Sequence, residues 1–386
     1  NLNESIVGVR VAQAFSREER NIEEFRRINE DNLEASVDAA RLSSVLFPVV
    51  QIVEGLATAL VLLVGGRLIL GGSALTIGEL FTFVAYISRF YEPIRDLSQR
   101  YNTLQAAMVA GERIFTLADV QPEVLDKPDA VRLPQVRGDV VYDHVTFGYT
   151  DRPVLQDINL HVRPGESVAL VGETGAGKSS MVNLLARFYD VWEGSIRIDG
   201  YDVRDVTQES LRAQFGTVLQ DTFLFAGTVR ENIAYARPDA TDEEVERAAR
   251  AIGAHAFITH LPKGYDTEVH ERGATLSVGQ RQLISFARAL LVDPRIVVLD
   301  EATSSVDTQT ELTIQRALET LLRGRTAFII AHRLSTIKRV DTVVVMSHGR
   351  IVEMGSHDEL LRARGAYYDL YTMQFRDQEQ QALTER

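Results

Sequence analysis

Apolar and polar positions follow two different patterns along the chain. Residues 45–70 are almost continuously apolar, and a helix of about 20 such residues crosses a bilayer core of about 30 Å. A short turn at residues 71–74 is followed by a second, less hydrophobic segment at residues 77–97. The pattern predicts two membrane helices, although a buried helix of a soluble protein also fits residues 45–70, and residues 77–97 read alone also fit a soluble helix.

Polar residues within the first apolar segment are candidates for a transport pathway. Gln51 and Glu54 interrupt the apolar run, as do Pro48 and Arg67. Polar groups inside a membrane span are costly and usually face a bundle interior or a water-filled cavity. We therefore expect Gln51 and Glu54 to face such an interior.

From residue 139 onward, short apolar strands alternate with helical segments as far as about residue 375. This alternation is typical of an α/β domain. The preceding segment is polar and contains prolines, which is typical of a linker. The sequence thus predicts a helical membrane region at residues 1–118, a linker at 119–138, an α/β domain at 139–378 and a mobile tail at 379–386.

A glycine-rich segment inside the α/β domain predicts a phosphate-binding loop. It lies between an apolar, strand-like run at residues 167–171 and a segment with helical apolar spacing at residues 180–188. In this context backbone N–H groups surround phosphate oxygens, Lys178 neutralises charge on the β- and γ-phosphates, and Ser179 reaches Mg²⁺. A glycine-rich turn with a solvated lysine is the alternative. The predicted nucleotide-binding residues here are Gly172, Glu173, Thr174, Gly175, Ala176, Gly177, Lys178, Ser179 and Ser180.

An acidic pair follows a second apolar strand, at residues 296–299. A strand that is apolar throughout is buried on both faces, as in the parallel sheet of an α/β domain, and its carboxyl end points to a ligand crevice. Asp300 is therefore predicted to orient Mg²⁺, and Glu301 to activate the attacking water as a general base. A helix-capping acidic pair is the alternative. Together with the phosphate loop, the pair predicts nucleotide hydrolysis.

Residues 276–282, Leu-Ser-Val-Gly-Gln-Arg-Gln, resemble the signature motif of ABC ATPases and lie shortly before Asp300. With this motif, essentially the whole chain resembles a bacterial ABC exporter of the multidrug and lipid type. The resemblance implies an α/β P-loop NTPase (ABC ATPase) domain preceded by an all-α transmembrane helical region. It also implies ATP and Mg²⁺ as cofactors.

The resemblance assigns roles to residues that would be uninformative alone. Tyr149 resembles the aromatic that stacks on adenine, although an ordinary strand aromatic is the alternative. Gln220 resembles the glutamine that contacts Mg²⁺ and the attacking water and senses the membrane domain. His332 resembles the switch histidine that holds the γ-phosphate and supports Glu301. Residues 304–307 resemble the loop joining two nucleotide sites, and the signature residues expected on the partner's ATP are Ser277, Gly279 and Gln280.

The same resemblance implies an obligatory partner. In this family two nucleotide domains face head to tail, and each ATP lies between the phosphate loop of one and the signature of the other. The implied function is ATP-driven export of a lipophilic or amphipathic drug or lipid from a multi-pass protein of the bacterial plasma membrane, with the nucleotide domain in the cytoplasm. The alternatives are a regulatory half of a heterodimeric exporter and, from another class, a soluble mechanical ABC-type ATPase. Whether the partner is an identical chain stays open.

The membrane part resembles only a portion of such an exporter. Residues 4–18 resemble the second intracellular loop, whose coupling helix docks on a nucleotide domain, and residues 90–115 resemble the extension of the last membrane helix. Because the chain begins with Asn1, we expect a fragment with the last two of six membrane helices. Two positions depart from the family's usual glycine: Val278 in the signature, and His270 in the exporter-like coupling loop.

The amino-acid composition limits which binding partners and metal sites the chain can have. The formal net charge of −13 argues against nucleic acid, because neutralising phosphates requires a basic surface. The absence of cysteine excludes disulfides and thiolate metal sites in these 386 residues. The eight histidines show no clustered spacing, so Mg²⁺ with ATP is the metal that the sequence predicts.

Overall fold

A computed structural model describes residues 6, 8–219, 222–269, 273, 275–300, 308–331 and 333–374. The chain divides into two compact units, Asn1–Gln121 and Pro122–Arg386. Each unit has its own architecture.

The first unit is helical, with α1 (Val9–Ala14), α2 (Glu18–Leu70) and α3 (Ile77–Ala118). α2 begins with a charged, helix-favouring sequence and continues through Pro48 into the apolar run. α3 starts with a capping box, in which Glu79 N–H donates to Thr76 Oγ1 at 3.3 Å and the Thr76 N–H donates to the Glu79 carboxylate at 2.8 Å. α3 then continues through Pro93 as one helix. The predicted second apolar segment and its extension therefore form a single element.

The apolar run of α2 is long and apolar enough to cross a membrane. The candidate span is Pro48–Leu70, 23 residues with a mean hydropathy of 2.0, and only 6% of its most apolar stretch is buried. Leu56, Leu60 and Leu63 are all exposed along it. Among the described residues no second helix passes the same test, in line with the weaker hydrophobicity expected of residues 77–97. A Cβ added at Gly65 would lie 2.4 Å from Leu80 Cδ1, so α2 and α3 pack closely there.

The second unit is α/β. Its elements are β1 (Val140–Phe147), β2 (Leu155–Val162), β3 (Ser167–Gly172), α4 (Lys178–Leu185), β4 (Glu193–Ile198), β5 (Tyr201–Asp202), α5 (Gln208–Arg212), β6 (Phe215–Val218), β7 (Gly227–Thr228), α6 (Val229–Ala234), α7 (Asp242–Ile252), α8 (His255–Ile258), β8 (Glu268–Val269), α9 (Val278–Leu291), β9 (Ile296–Asp300), α10 (Thr308–Leu322), β10 (Thr326–Ile330), α11 (Leu334–Ile337), β11 (Thr342–Ser347), β12 (Arg350–Gly355), α12 (His357–Ala363) and α13 (Ala366–Gln374).

The strands form three sheets within the described ranges. The largest has the order β12-β11-β3-β10-β9-β6, parallel except for the antiparallel edge strand β12. A second sheet has the antiparallel order β2-β1-β4-β5, and β7 pairs with β8. The α/β class predicted from the sequence is confirmed.

Burial on both faces explains the uninterrupted apolar strands of the large sheet. Successive side chains of a strand point to opposite faces. In β9, Val297 and Leu299 join one hydrophobic core, whereas Ile296 and Val298 join the other. The sheet therefore separates two cores, and only its strand ends remain available for chemistry.

The carboxyl ends of three neighbouring parallel strands meet at one edge of this sheet. β3 ends at Gly172, β10 at Ile330 and β9 at Asp300, and β10 lies between the other two. The loops that follow such strand ends form the usual ligand crevice of an α/β sheet. The fold thus places the phosphate loop and Asp300 at the same edge.

Residues 122–138, predicted as part of a linker, lie against the α/β unit. Leu133 and Val136 are buried at 4% and 3% exposure. Val131 forms a parallel bridge with Val206. The compact unit consequently begins at Pro122, before β1.

The capping box of α6 yields a stability prediction. Thr228 Oγ1 accepts a hydrogen bond from Glu231 N at 3.1 Å, and the Glu231 carboxylate accepts one from Thr228 N at 2.7 Å. Thr228→Ala removes one of these bonds, which costs about 1 kcal/mol and lowers the midpoint of thermal unfolding by about 2–4 °C in a domain of this size. Thr228→Ser keeps the hydroxyl and serves as the control. Equal midpoints for the alanine and serine variants would contradict the assignment.

Candidate nucleotide site

The phosphate loop connects β3 to α4 through backbone conformations that favour glycine. Gly172 has a φ of 152° and Gly177 a φ of 101°. A Cβ at Gly172 would lie 2.3 Å from the Met346 carbonyl oxygen, and one at Gly177 would lie 2.5 Å from Leu155 Cδ2. The positive φ favours glycine at both positions, and at Gly172 a side chain would also collide with a backbone carbonyl.

Lys178 opens α4 and is held against the loop. Its side chain is only 8% exposed, and Nζ donates to the carbonyl oxygens of Gly172 at 2.8 Å and Glu173 at 2.9 Å. Burial lowers the pKa of Lys178, whereas the negative charge of Asp300 acts in the opposite direction. Lys178 thus places its own positive charge inside the loop. The N-terminus of α4, which also favours anions, lies beside it.

The two serines after Lys178 face different surroundings. Ser179 is exposed, whereas Ser180 is buried at 5% exposure. The Ser180 Oγ lies 3.0 Å from the Tyr149 Oη, a hydrogen-bond distance in which either hydroxyl can donate. Ser179 is therefore the hydroxyl available to a ligand, and Ser180 links the loop to Tyr149.

Ser179 and Asp300 offer the donors that a magnesium ion prefers. Both present oxygen atoms, and the parallel pairing of β3, β10 and β9 places Asp300 at the same sheet edge as the phosphate loop. In the described part of the chain, no group of three or more His, Asp or Glu residues could hold a metal by itself. Mg²⁺ is commonly held by one or two protein oxygens together with water and substrate phosphates. These residues fit Mg²⁺ bound with a nucleotide, where the ion would neutralise phosphate charge.

Three predicted catalytic residues lie outside the described residues: Gln220, Glu301 and His332. The same holds for the loop at residues 304–307 and for His270. The described strands β6, β9 and β10 end at Val218, Asp300 and Ile330. Each predicted residue therefore follows within two residues of a strand end at the phosphate-loop edge, and its role stays a prediction.

Tyr149 belongs to an aromatic cluster beside the phosphate loop. Its ring is 49% exposed and meets the rings of Phe147 and Tyr189 edge to face, at centroid distances of 5.0 and 5.1 Å. Trp192 packs against Phe147 at 6.3 Å. A half-exposed ring with fixed neighbours can offer a flat face to a base. Tyr189 and Trp192 were not singled out from the sequence, because their contacts with residues 147 and 149 are long-range.

The signature segment forms the N-terminus of the 14-residue helix α9. Ser277 Oγ accepts a hydrogen bond from Gln280 N at 3.2 Å, and Gln280 Oε1 accepts one from Ser277 N at 3.0 Å. Val278 is 44% exposed, whereas Gly279 is buried. The unusual valine therefore leaves the helix cap intact, and Ser277 is exposed at the start of α9.

A second aromatic cluster, which we term the aromatic patch, contains Phe223, Phe225 and Tyr235. All three rings are more than 40% exposed, and Phe225 stacks on Tyr235 with centroids 4.3 Å apart. Arg288 lies over the Tyr235 ring at 5.4 Å and donates to the Asn232 carbonyl at 2.8 Å. Burial lowers the pKa of Arg288. Sequence reasoning missed this surface, although the recurrence of aromatic residues just after position 220 was a usable signal.

Comparison with known proteins agrees with this site. The ABC transporter family profile matches residues 155–304, and the ABC transporter transmembrane region matches residues 1–94. The chain is 48% identical over 375 residues to the ABC transporter ATP-binding protein YknV of Bacillus subtilis, covering 97% of this chain and 62% of that protein. It is 44% identical over 376 residues to an ATP-dependent lipid A-core flippase of Syntrophus aciditrophicus, with the same coverage.

A solved structure supports the architecture. The chain matches a bacterial Atm1-family ABC exporter with ATP bound at a TM-score of 0.80 and 38% identity, covering 97% of this chain and 65% of that one. The chain thus spans a little under two thirds of the length of these proteins.

Fold and site together define a P-loop nucleotide-binding domain preceded by a membrane-type helical region. The chain belongs to the ABC transporter family, in the arrangement of bacterial exporters that join both parts in one polypeptide. The predicted resemblance and fold class are confirmed. Family membership implies ATP as the bound nucleotide and a membrane protein whose ATPase domain is cytoplasmic.

Tyr149 allows a test of adenine stacking. Tyr149→Leu removes the aromatic face, and loss of one base–aromatic stack, worth about 1–3 kcal/mol, should weaken ATP binding about tenfold. Tyr149→Phe keeps the ring but loses the hydroxyl near Ser180, so its affinity should change by less than about threefold. Calorimetric titration with ATP measures both. Equal affinities for the leucine variant and the parent would exclude stacking on Tyr149.

Ser277 allows the signature's role to be separated from its helix cap. Aspartate and asparagine both cap helices as well as serine does, so α9 should keep its start in both variants. Ser277→Asp places a negative charge where a partner's phosphate is expected, and Mg²⁺-dependent ATPase activity should fall at least about tenfold through like-charge repulsion. The uncharged Ser277→Asn is the matched control. Similar rates in the two variants would argue against a phosphate at this position.

Proposed function

We propose that the chain forms part of an ATP-driven exporter that moves a lipophilic or amphipathic substrate, a lipid or a drug, across the membrane. The observation that carries the proposal is the combination, in one chain, of a complete phosphate loop at the sheet edge with the exposed apolar span Pro48–Leu70. The relatives named as a lipid A-core flippase, a fatty acid transporter and a multidrug exporter support this substrate class.

Hydrolysis is proposed to combine binding of the β- and γ-phosphates with activation of the attacking water. Backbone N–H groups of the loop and Lys178 bind the β- and γ-phosphates. Ser179, Gln220 and Asp300 would hold Mg²⁺, which would neutralise phosphate charge. Glu301 accepts a proton from the attacking water as the water oxygen bonds to the γ-phosphorus. The bond between the γ-phosphorus and the β–γ bridging oxygen breaks in the same step, so that ADP leaves and inorganic phosphate is the other product. During this step His332 holds the γ-phosphate and orients Glu301, and it helps to stabilise the negative charge on the γ-phosphate oxygens.

Each active site is proposed to need two subunits. Ser277 is exposed at the start of α9, and it is not part of the phosphate loop. In the proposed dimer, this end of α9 contacts the ATP that the second subunit holds in its own phosphate loop. Closure on ATP and opening after hydrolysis then drive the membrane helices, in a multi-pass protein of the bacterial plasma membrane.

Two other functions are less well supported. A soluble mechanical ATPase does not account for the match to the transmembrane region over residues 1–94 or for the exposed apolar span. A regulatory half of a heterodimer would carry a defective hydrolytic residue, whereas Glu301 and His332 are both present in the sequence. Active export by this subunit remains the favoured function.

The proposal is tested on the full-length protein that contains this chain, expressed alone in membrane vesicles. Mg²⁺-dependent ATPase activity is expected, and Glu301→Gln should lower it at least about 100-fold by removing the general base while ATP still binds. Glu193→Gln, at an exposed carboxylate in β4, is the matched control and should keep the parent rate. Substantial hydrolysis in Glu301→Gln would exclude Glu301 as the base. No activity in a folded, ATP-binding parent would indicate a heteromeric partner.

A further inference from the structure

The segment between α3 and β1, residues 122–138, is held along the α/β unit by specific hydrogen bonds. We name these residues the strap. We propose that the strap is a mechanical connection that ties the end of α3 to α4, the helix that carries the phosphate loop, with Arg187 as the pin. This inference rests on the proposed function, because it concerns how the nucleotide site acts on the membrane helices.

Arg187 follows the end of α4 by two residues and points into the unit. Its side chain is 1% exposed although it carries a charge. One terminal nitrogen donates to the strap carbonyl of Leu125 at 3.0 Å, and the other lies 3.5 Å from the Asp126 carboxylate and 3.1 Å from the Val206 carbonyl. Nε donates to Asp190 at 3.0 Å. The planar guanidinium therefore joins two strap residues to the end of the phosphate-loop helix.

Asp126 completes the connection on the strap side. Besides contacting Arg187, its carboxylate accepts hydrogen bonds from the backbone N–H of Gln208, at 3.1 and 3.3 Å, at the first residue of α5. The Gln208 side chain returns to the strap at the Val124 carbonyl, 3.3 Å away. Arg212 Nη2 donates to the Gln208 Oε1 and to the Arg187 carbonyl oxygen, each at 2.9 Å. These hydrogen bonds form one network that connects the strap, α5 and the end of α4.

The rest of the strap is fixed as well. Leu133 N donates to Ser210 Oγ at 2.9 Å, and Val136 N donates to Gln214 Oε1 at 3.4 Å. The N–H groups of the next three residues, Arg137, Gly138 and Asp139, donate to the Asp199 carboxylate at 2.6 to 3.1 Å. A slack linker absorbs displacement of its ends, whereas a segment bonded along its length passes it on.

The buried guanidinium of Arg187 is not needed merely to attach the strap to the α/β unit. Burying a guanidinium is expensive unless every donor finds a partner, and apolar packing usually fastens a surface segment at no such expense. α4 starts at Lys178, which is bonded into the phosphate loop, and a helix transmits displacement along its axis. Arg187 therefore lies where movement of the phosphate loop reaches the strap and, through residues 119–121, the end of α3.

The test uses the full-length protein in lipid nanodiscs with a reporter in the membrane part. A keto amino acid replaces Ser73, in the exposed turn between α2 and α3, and carries a spin label whose response to Mg²⁺ and ATP is recorded. Asp126→Ala removes the strap's carboxylate while leaving Arg187 its carbonyl acceptors. ATPase activity should stay within twofold of the parent, and the ATP-dependent change at position 73 should fall at least threefold.

Lys127→Ala is the matched control. Its ammonium pairs with Asp205 at the surface, where both side chains are at least half exposed, and it is not a hydrogen-bond partner of Arg187. Both readings should stay at parent values in this variant. A normal response in Asp126→Ala would overturn the inference, as would a parallel loss of ATPase activity and response, which shows a purely structural role.

A disulfide provides the complementary test, because these 386 residues contain no cysteine and any cysteine elsewhere in the full-length protein is replaced by serine. Val131 and Val206 are bridge partners, and neighbouring strands lie about 4.8 Å apart, within the Cα separation that a disulfide spans. Val131→Cys with Val206→Cys in the Asp126→Ala background should restore the ATP response when oxidised and lose it on reduction. Failure to restore it in the verified disulfide would overturn the strap's role. A parent without any ATP response at position 73 would overturn the proposed function, and this inference with it.

Discussion

Parallel pairing of β3, β10 and β9 is the constraint on which the nucleotide site depends. Because both faces of these strands are buried in separate cores, polar chemistry is confined to the strand ends. The pairing brings Gly172 and Asp300 to one edge although more than a hundred residues separate them. The glycines then let the backbone turn tightly enough for Lys178 to bond within the loop. Local motif and global sheet are therefore parts of one arrangement.

The sequence was sufficient wherever a function depends on neighbours along the chain. The phosphate loop, the strand ending at Asp300 and the start of α9 at Ser277 are each local patterns, and the structure has each of them where the pattern predicts. Contacts between distant residues could not be read in this way. Tyr189 meets Tyr149 across forty positions, and nothing in its own surroundings marks it. The aromatic patch is marked in the sequence by closely spaced aromatic residues, but its exposure is a property of the fold.

The segment before β1 shows the limit of composition as evidence. Prolines and polar residues predict a linker, but composition does not reveal which backbone donors find acceptors elsewhere. Asp199 accepts from consecutive N–H groups of this segment, and Ser210 accepts from another. Such acceptors lie about sixty to eighty positions away. Polar sequence therefore indicates solvent exposure of side chains far better than it indicates freedom of the backbone.

The bonds of Lys178 also bear on which ligands the loop accepts. Its ammonium group already has two carbonyl partners, from Gly172 and Glu173. A ligand that draws Nζ away must replace those contacts with stronger, charge-assisted ones. Phosphate chains with several negative charges satisfy this exchange, whereas adenosine or a single phosphate ester offers little in return. We therefore expect the loop itself to favour long phosphate chains, separately from any recognition of the base.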